Sequence, residues 1–179
     1  YMPEEETDDT DNVILKGNYA RKFNDSRLKM GLAYASIGQG KGAEEHEAQA
    51  LTVGYYCGRF SIGGGYQRES DIMGVSGEDR DSFSLGGSMK ITDNGTIKLQ
   101  FATSDGDAND SDATLMAVGY DHALDDQTTL YMAYARVSND PNVSFSANGK
   151  GHGDKVTPLA GDDPNAFSFG IVYKFDASL

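Results

Sequence analysis

Residues 82–102 read SFSLGGSMKITDNGTIKLQFA. Large apolar residues alternate with small or polar ones on both sides of the central Asp-Asn-Gly: Phe83, Leu85 and Met89, then Ile97, Leu99 and Phe101. This period of two is typical of a β-strand with one apolar face. Asp-Asn-Gly between two such runs is a strong hairpin signal. The stretch therefore predicts an antiparallel hairpin.

Seven further segments have the same period of two. They are Asn12–Arg21, Arg27–Ile37, Gln49–Tyr56, Arg59–Arg68, Thr114–His122, Thr129–Val137 and Ala166–Phe175. In the segment that begins at Thr129, the apolar face is predicted to carry Tyr131, Ala133, Ala135 and Val137. With the hairpin, the chain has nine predicted strands, and the fold class is all-β. A tilted strand that crosses a membrane needs roughly 9 to 11 residues, which is close to these lengths.

The predicted connections alternate between short and long along the chain. The short links are residues 23–26, 57–58, 92–95 and 124–127, whereas the long ones are 38–47, 69–81, 104–112 and 138–165. Antiparallel up-and-down barrels of the bacterial outer membrane have short turns at one end and long loops at the other. A soluble antiparallel sheet with one wet face has the same alternation of side chains. A soluble sheet does not explain why short and long connections lie at opposite ends, so the pattern favours a transmembrane β-barrel.

Composition excludes several other classes of protein. The 179 residues carry 15 Lys and Arg against 28 Asp and Glu, a formal net charge of −13. Because phosphate backbones require clustered basic residues, nucleic acid is not an expected partner. The single Cys excludes an internal disulfide and a cysteine-based zinc module. No apolar run approaches the length of about 18 residues that a transmembrane helix needs.

The charged residues are divided between loops and strands. Acidic residues crowd into the long loops and the N-terminal segment, whereas bases occur inside the predicted strands. A Lys on the lipid face near the membrane midplane would cost roughly 2 to 4 kcal/mol, so these strand residues are expected to face a pore. The predicted pore-lining set is Lys16, Lys29, Lys90, Lys98, Asp121, Arg136 and Lys174. On the wet face of a soluble sheet the same bases would simply be solvated.

Aromatic residues lie toward the ends of the predicted strands. In a membrane barrel they would form belts at the two membrane–water interfaces. The predicted interface aromatics are Tyr19, Tyr34, Tyr55, Tyr66, Tyr120, Tyr131, Tyr173 and Phe175.

Two stretches resemble a known family. The run MAVGYDHALDDQTTLYMAYARVSND, Met116–Asp140, resembles the penultimate hairpin of Gram-negative general diffusion porins, and FSFGIVYKF, Phe167–Phe175, resembles their C-terminal strand. The resemblance implies a homotrimeric channel of the Gram-negative outer membrane, surrounded by lipid and lipopolysaccharide and open to small hydrophilic solutes and ions. It also implies that residues 1–179 are one barrel domain, the C-terminal half of a porin of about sixteen strands. The constriction loop would then lie in the other half. A small complete barrel is the alternative.

No motif for catalysis, a cofactor or a metal accompanies this pattern. The acidic stretch Asp105–Asp112 lacks the Gly and Glu that an EF-hand loop requires at its sixth and twelfth positions. His46, His122 and His152 match no metal-binding spacing. An enzyme is therefore not expected, and neither is a cofactor. A soluble or surface-displayed β-sandwich that binds a partner through its acidic loops is the second hypothesis, and an enzyme of the membrane is the third.

Overall fold

The computed structural model describes residues 11–147 and 157–175. These residues form one antiparallel sheet of nine strands that follow one another in chain order, as predicted. The strands are β1 (Asn12–Phe23), β2 (Ser26–Ile37), β3 (His46–Cys57), β4 (Phe60–Ser70), β5 (Arg80–Lys90), β6 (Gly95–Gly106), β7 (Ala113–Ala123), β8 (Thr128–Asn139) and β9 (Asn165–Tyr173). A 3-10 turn, Ile72–Gly74, lies in the connection between β4 and β5. Within these ranges, no helix has the length and apolar character required to cross a membrane.

Strand length suits the thickness of a membrane. The strands contain 9 to 12 residues, and each pairs with the next over most of its length. At about 3.4 Å per residue, 12 residues extend about 41 Å, which at a tilt near 45° spans about 29 Å, close to the thickness of a hydrocarbon core of about 30 Å. β1 and β9 form the two edges of the sheet.

The connections are sorted by length between the two ends of the sheet, which confirms the predicted alternation. One end, here called the turn end, has the short connections 24–25, 58–59, 91–94 and 124–127. Asn24 and Gly58 have positive φ angles of 35° and 51°, the conformation that two-residue hairpin turns favour. The other end, the loop end, has the connections 38–45, 71–79, 107–112 and 140–164.

Backbone hydrogen bonds connect the long loops to one another in sheet order. The Glu44 N–H donates to the Gly74 carbonyl (3.3 Å), the Asp107 N–H to Asp79 (3.0 Å) and the Asp140 N–H to Asp112 (2.9 Å). The loop end is therefore a continuous rim rather than four independent loops.

The two faces of the sheet differ in chemistry, and neither is covered over most of its area. One face, the apolar face, carries exposed residues such as Leu32 (62% exposed) and Leu99 (61%). In the described residues, the buried hydrophobic side chains are those of Ala113 and Val137 alone. A soluble β-sandwich buries the inner face of each sheet against a second sheet. The described sheet has no such second layer, so the sandwich hypothesis is not supported.

The orientation of β8 corrects the sequence prediction. β8 pairs with β7 so that Arg136 lies opposite Met116, and Tyr134 lies opposite Val118. Arg136 is therefore on the apolar face, and Tyr131 is on the opposite, polar face, the reverse of what was predicted. The cause is that both faces of β8 carry apolar residues, so alternation alone does not orient this strand. Arg136 lies near the loop end, where its Nη2 is 3.1 Å from Oδ2 of Asp163.

Candidate functional site: the polar face of the sheet

Basic residues dominate the polar face of the sheet. The register places on it the bases Lys16, Lys22, Arg27, Lys29, Arg80, Lys90 and Lys98, against the acids Glu69 and Asp121. Five of the predicted pore-lining residues, Lys16, Lys29, Lys90, Lys98 and Asp121, therefore lie on one face, and Lys174 follows the last residue of β9. Arg136 does not join them. The acidic N-terminal segment, residues 4–9, lies outside the described residues.

The lysines of the polar face differ in whether a nearby carboxylate neutralises their charge. Lys98 Nζ lies 2.5 Å from Oδ2 of Asp121, so this charge is largely compensated. Lys29 Nζ lies 5.5 Å from the ring centroid of Tyr56, a cation–π contact that orients the ammonium group without cancelling its charge.

Four bases form a cluster at the turn end of this face. Lys22, Arg27, Arg59 and Lys90, here called the turn-end cluster, line a cavity of about 610 Å³ together with Asp25. Within the described ranges, none of the four has a carboxylate oxygen within 4.0 Å. Their charges are therefore available to a solute.

Sequence analysis did not single out Lys22, Arg27 or Arg59. The sequence nevertheless contained a usable signal. Lys22 is an even number of residues from Lys16, and Arg27 is two residues from Lys29, so the members of each pair lie on the same face of their strand. These residues were missed because they lie at strand ends or in a turn, whereas bases were sought only in the interiors of the predicted strands.

Arg80 stands at the opposite, loop end of the polar face. Its Nη1 donates hydrogen bonds to Oγ of Ser104 (2.9 Å) and to the carbonyl of Ser111 (3.1 Å). Its Cζ lies 5.2 Å from the ring centroid of Phe145, in the loop after β8. Gly106 makes room for this arrangement, because a Cβ there would lie 2.7 Å from Arg80 Nη2.

The predicted interface aromatics are distributed over both ends of the apolar face. The register puts Tyr19, Tyr34, Tyr55, Tyr66, Tyr120 and Tyr173 on this face. Tyr131 lies on the polar face, and Phe175 follows β9 by two residues. Near the loop end, the Tyr34 hydroxyl donates to Glu47 (2.7 Å) and the Tyr66 hydroxyl to Asp81 (2.5 Å). Such rings, apolar at the body and polar at the tip, suit a membrane–water boundary.

Asp163 is predicted to make the stability of the loop after β8 depend on pH. Its Oδ1 accepts the backbone N–H of Asn139 (3.0 Å), and its Oδ2 accepts Nη2 of Arg136 (3.1 Å). These bonds, that of Asn139 first, hold the pKa of Asp163 below its ordinary value. A lowered folded-state pKa stabilises the loop fully above the unfolded value of about 3.9, and this stabilisation is lost as the pH falls through the folded value.

We therefore expect the Asn139 amide to exchange slowly at pH 6 and faster below about pH 4, once intrinsic rates are corrected for. Hydrogen–deuterium exchange of the peptide that spans residues 137–147 measures this. Asp163→Asn is the control, and it should show the faster exchange already at pH 6. Equal protection from pH 6 to pH 2 in the unchanged protein would contradict the prediction.

Comparison with known proteins identifies the family. The profile of the Gram-negative porin family matches residues 3–142. The chain belongs to the Gram-negative porin family. The match confirms the resemblance seen in the sequence, and it assigns this porin to the outer membrane. It also includes the strands before Met116, where only periodicity had been recognised.

Individual relatives agree with this assignment. The porin is 29% identical over 123 residues to "Outer membrane porin protein 32" of Delftia acidovorans, a match that covers 68% of this chain and 35% of the relative. Among solved structures, it is similar to an anion-selective porin from Comamonas acidovorans, with a TM-score of 0.72 and 26% identity over 90% of this chain and 49% of the other. OmpT of Vibrio cholerae shares the fold, with a TM-score of 0.59 and 17% identity over 90% of this chain and 55% of the other. The chain thus spans about a third to a half of the length of the first two relatives.

Proposed function

We propose that this porin contributes a wall to a water-filled channel for the passive diffusion of small hydrophilic solutes and ions, with a preference for anions. The observation that carries the proposal is the unequal chemistry of the two faces. The apolar face suits lipid, whereas the polar face presents the turn-end cluster, whose four bases have no carboxylate oxygen within 4.0 Å in the described residues. The solved relative described as anion-selective supports the same preference.

The proposed mechanism combines exclusion by size with an electric field. Cations fixed along a water-filled wall raise the local concentration of anions and lower that of cations, since they act on any ion that passes. No bond is made or broken, so the porin acts as a channel rather than as an enzyme. The paired Lys98 and Asp121 contribute little net field at a distance.

The nine strands form part of a larger closed barrel in this proposal. Open sheet edges are not viable in lipid, because their N–H and C=O groups would have no partners. β1 and β9 therefore require further strands, in agreement with the 49% coverage of the solved relative. A barrel of about sixteen strands, its assembly into a homotrimer, and contact of the apolar face with lipid and lipopolysaccharide complete the proposal.

The product of the full-length gene provides the test. It should require detergent, migrate differently on a gel before and after boiling, and conduct ions across a planar lipid bilayer. A salt gradient across that bilayer should give a reversal potential of the sign expected for anions. A protein that stays monodisperse in plain buffer and shows no heat shift would overturn the proposal of a channel. A cation-selective channel would overturn only the preference for anions.

A further inference from the structure

Part of the chain covers the polar face at its loop end. Val137 of β8 and Ala113 of β7 are diagonal neighbours at the loop end of this face, where Val137 pairs with Leu115 and Ala113 with Asn139, and they are 2% and 8% exposed. In the rest of the polar face that the structure describes, residues such as Lys16 and Lys98 are exposed. The segment 140–147, which directly follows β8, places Phe145 over this face. The segment therefore covers the polar face at the loop end of β7 and β8.

Asn139 fixes the path of this segment. The residue is 8% exposed, and its Nδ2 donates to the carbonyls of Phe145 (2.9 Å) and Asp162 (2.7 Å). Its Oδ1 accepts the backbone N–H of Phe145 (3.0 Å). The side-chain amide thus holds the backbone of Phe145 at both of its hydrogen-bonding groups. An apolar residue or a carboxylate at this position cannot supply the same donors and acceptor.

Phe145 contacts a residue that lies three strands away. Arg80 belongs to β5, and β6 and β7 separate it from β8. At about 4.8 Å per strand, β5 and β8 are about 14 Å apart. The segment and the Arg80 side chain, which extends over β6 to Ser104 and Ser111, bridge this distance together. On the way, Asn142 bonds to the backbone carbonyls of Asn109 and Asp110 in the loop between β6 and β7. The crossing is therefore held at both of its ends and in its middle.

The contact changes the exposure of a cation. Arg80 is half-buried, whereas the four bases of the turn-end cluster are exposed. The Phe145 ring covers a guanidinium that already bonds to Ser104 and Ser111. An aromatic ring over a guanidinium excludes water and mobile anions from one of its sides.

We infer that Phe145 is a specificity-determining residue of the channel, positioned by Asn139, which narrows the loop-end entrance and shields the charge of Arg80 from passing ions. The inference rests on the proposed function. It assigns to segment 140–147 a role in selecting solutes that is separate from the turn-end cluster. The attraction of anions at the loop end then depends on whether Phe145 is in place.

The full-length porin with Phe145→Ala tests this. Peptide-resolved modification by phenylglyoxal, an arginine reagent, should become severalfold faster at Arg80. Conductance in high salt should rise because the entrance is wider. At 0.1 M salt the anion-to-cation permeability ratio should rise by at most about 1.6-fold, the full effect of one charge about 10 Å from an ion. Phe145→Ala combined with Arg80→Gln should keep the higher conductance and lose the gain in anion preference.

Leu159→Ala is the matched control, because Leu159 is 76% exposed and belongs to the same loop. Phe145→Leu keeps an apolar side chain but lacks the aromatic face, and it serves if Phe145→Ala does not fold. Arg80 reactivity and a permeability ratio equal to those of Leu159→Ala would overturn the inference. If the unchanged porin forms no channel, the proposed function fails, while the reactivity of Arg80 still decides whether Phe145 covers it.

Discussion

Met132→Arg is expected to prevent stable folding of the porin in a lipid bilayer, whereas Ala133→Arg at the next position is expected to be tolerated. Met132 pairs with Tyr120 and Phe169 on the apolar face, and it is 51% exposed there. An Arg on the lipid side costs roughly 2 to 4 kcal/mol near the membrane midplane and less toward the interfaces, and Met132, the fifth of the twelve residues of β8, lies close to the middle of its strand. That cost lowers the folding equilibrium constant roughly 30- to 700-fold.

Ala133 lies on the polar face, opposite Gly119 on β7 and Ser168 on β9. A Cβ at Gly119 would make only ordinary van der Waals contacts, the nearest with the Met132 carbonyl oxygen at 3.5 Å, so the wall opposite Ala133 is not overpacked. A new guanidinium there would extend into water instead of lipid. Because the same residue type is introduced at adjacent positions, the two variants differ mainly in the face that receives the charge.

Folding into lipid vesicles, followed by the gel shift on boiling and by the midpoint of urea unfolding, measures the difference. The pair also tests the corrected orientation of β8, since the sequence had predicted Ala133 on the apolar side. If Ala133→Arg fails to fold and Met132→Arg folds normally, the register of β8 described here is wrong. Equal stability of the two variants would argue against a membrane-facing apolar surface.

Much of the fold could be predicted from local sequence because each strand carries its own signal. In the segment that contains Leu99, large apolar residues occupy one parity and small or polar residues the other, so both the strand and its orientation follow. β8 lacked this contrast. One face of this strand carries Tyr131 and Val137, and the opposite face carries Met132 and Tyr134. Only pairing with β7 orients it, and pairing is a property of the sheet rather than of the strand.

The functional site was less accessible to sequence analysis than the fold. The turn-end cluster draws Lys22 from β1, Arg27 from β2 and Lys90 from β5, and Arg59 from a turn. Its existence depends on the register of several strands at once. The contact between Arg80 and Phe145 depends on the path of a loop, for which no periodic signal exists. Bases in the middle of strands, such as Lys16, were predictable because parity alone assigns their face.

Neutralising the turn-end cluster is expected to remove most of the preference for anions. In the variant, Lys22, Arg27, Arg59 and Lys90 are all replaced by Gln. At 0.1 M salt, a unit charge about 10 Å from an ion in water contributes about 0.15 kcal/mol after screening. Four charges stabilise an anion in the pore by about 0.6 kcal/mol and destabilise a cation by the same amount. The anion-to-cation permeability ratio therefore depends on twice this energy. The anion-to-cation ratio should therefore fall about sevenfold.

Arg21→Gln is the matched control, since Arg21 precedes Lys22 in the chain but lies on the apolar face, with its guanidinium 4.9 Å from the Phe23 ring centroid. It removes a positive charge from the same end of the sheet without changing the channel wall. The reversal potential in a salt gradient measures both variants, and at 1 M salt, where the screening length falls to about 3 Å, the effect of the cluster should nearly vanish. Because only a charge exposed to the water of the pore can be screened in this way, a shift that persists at 1 M would indicate altered pore geometry instead. A shift no larger per charge than that of Arg21→Gln would show that the cluster does not face the path of the ions.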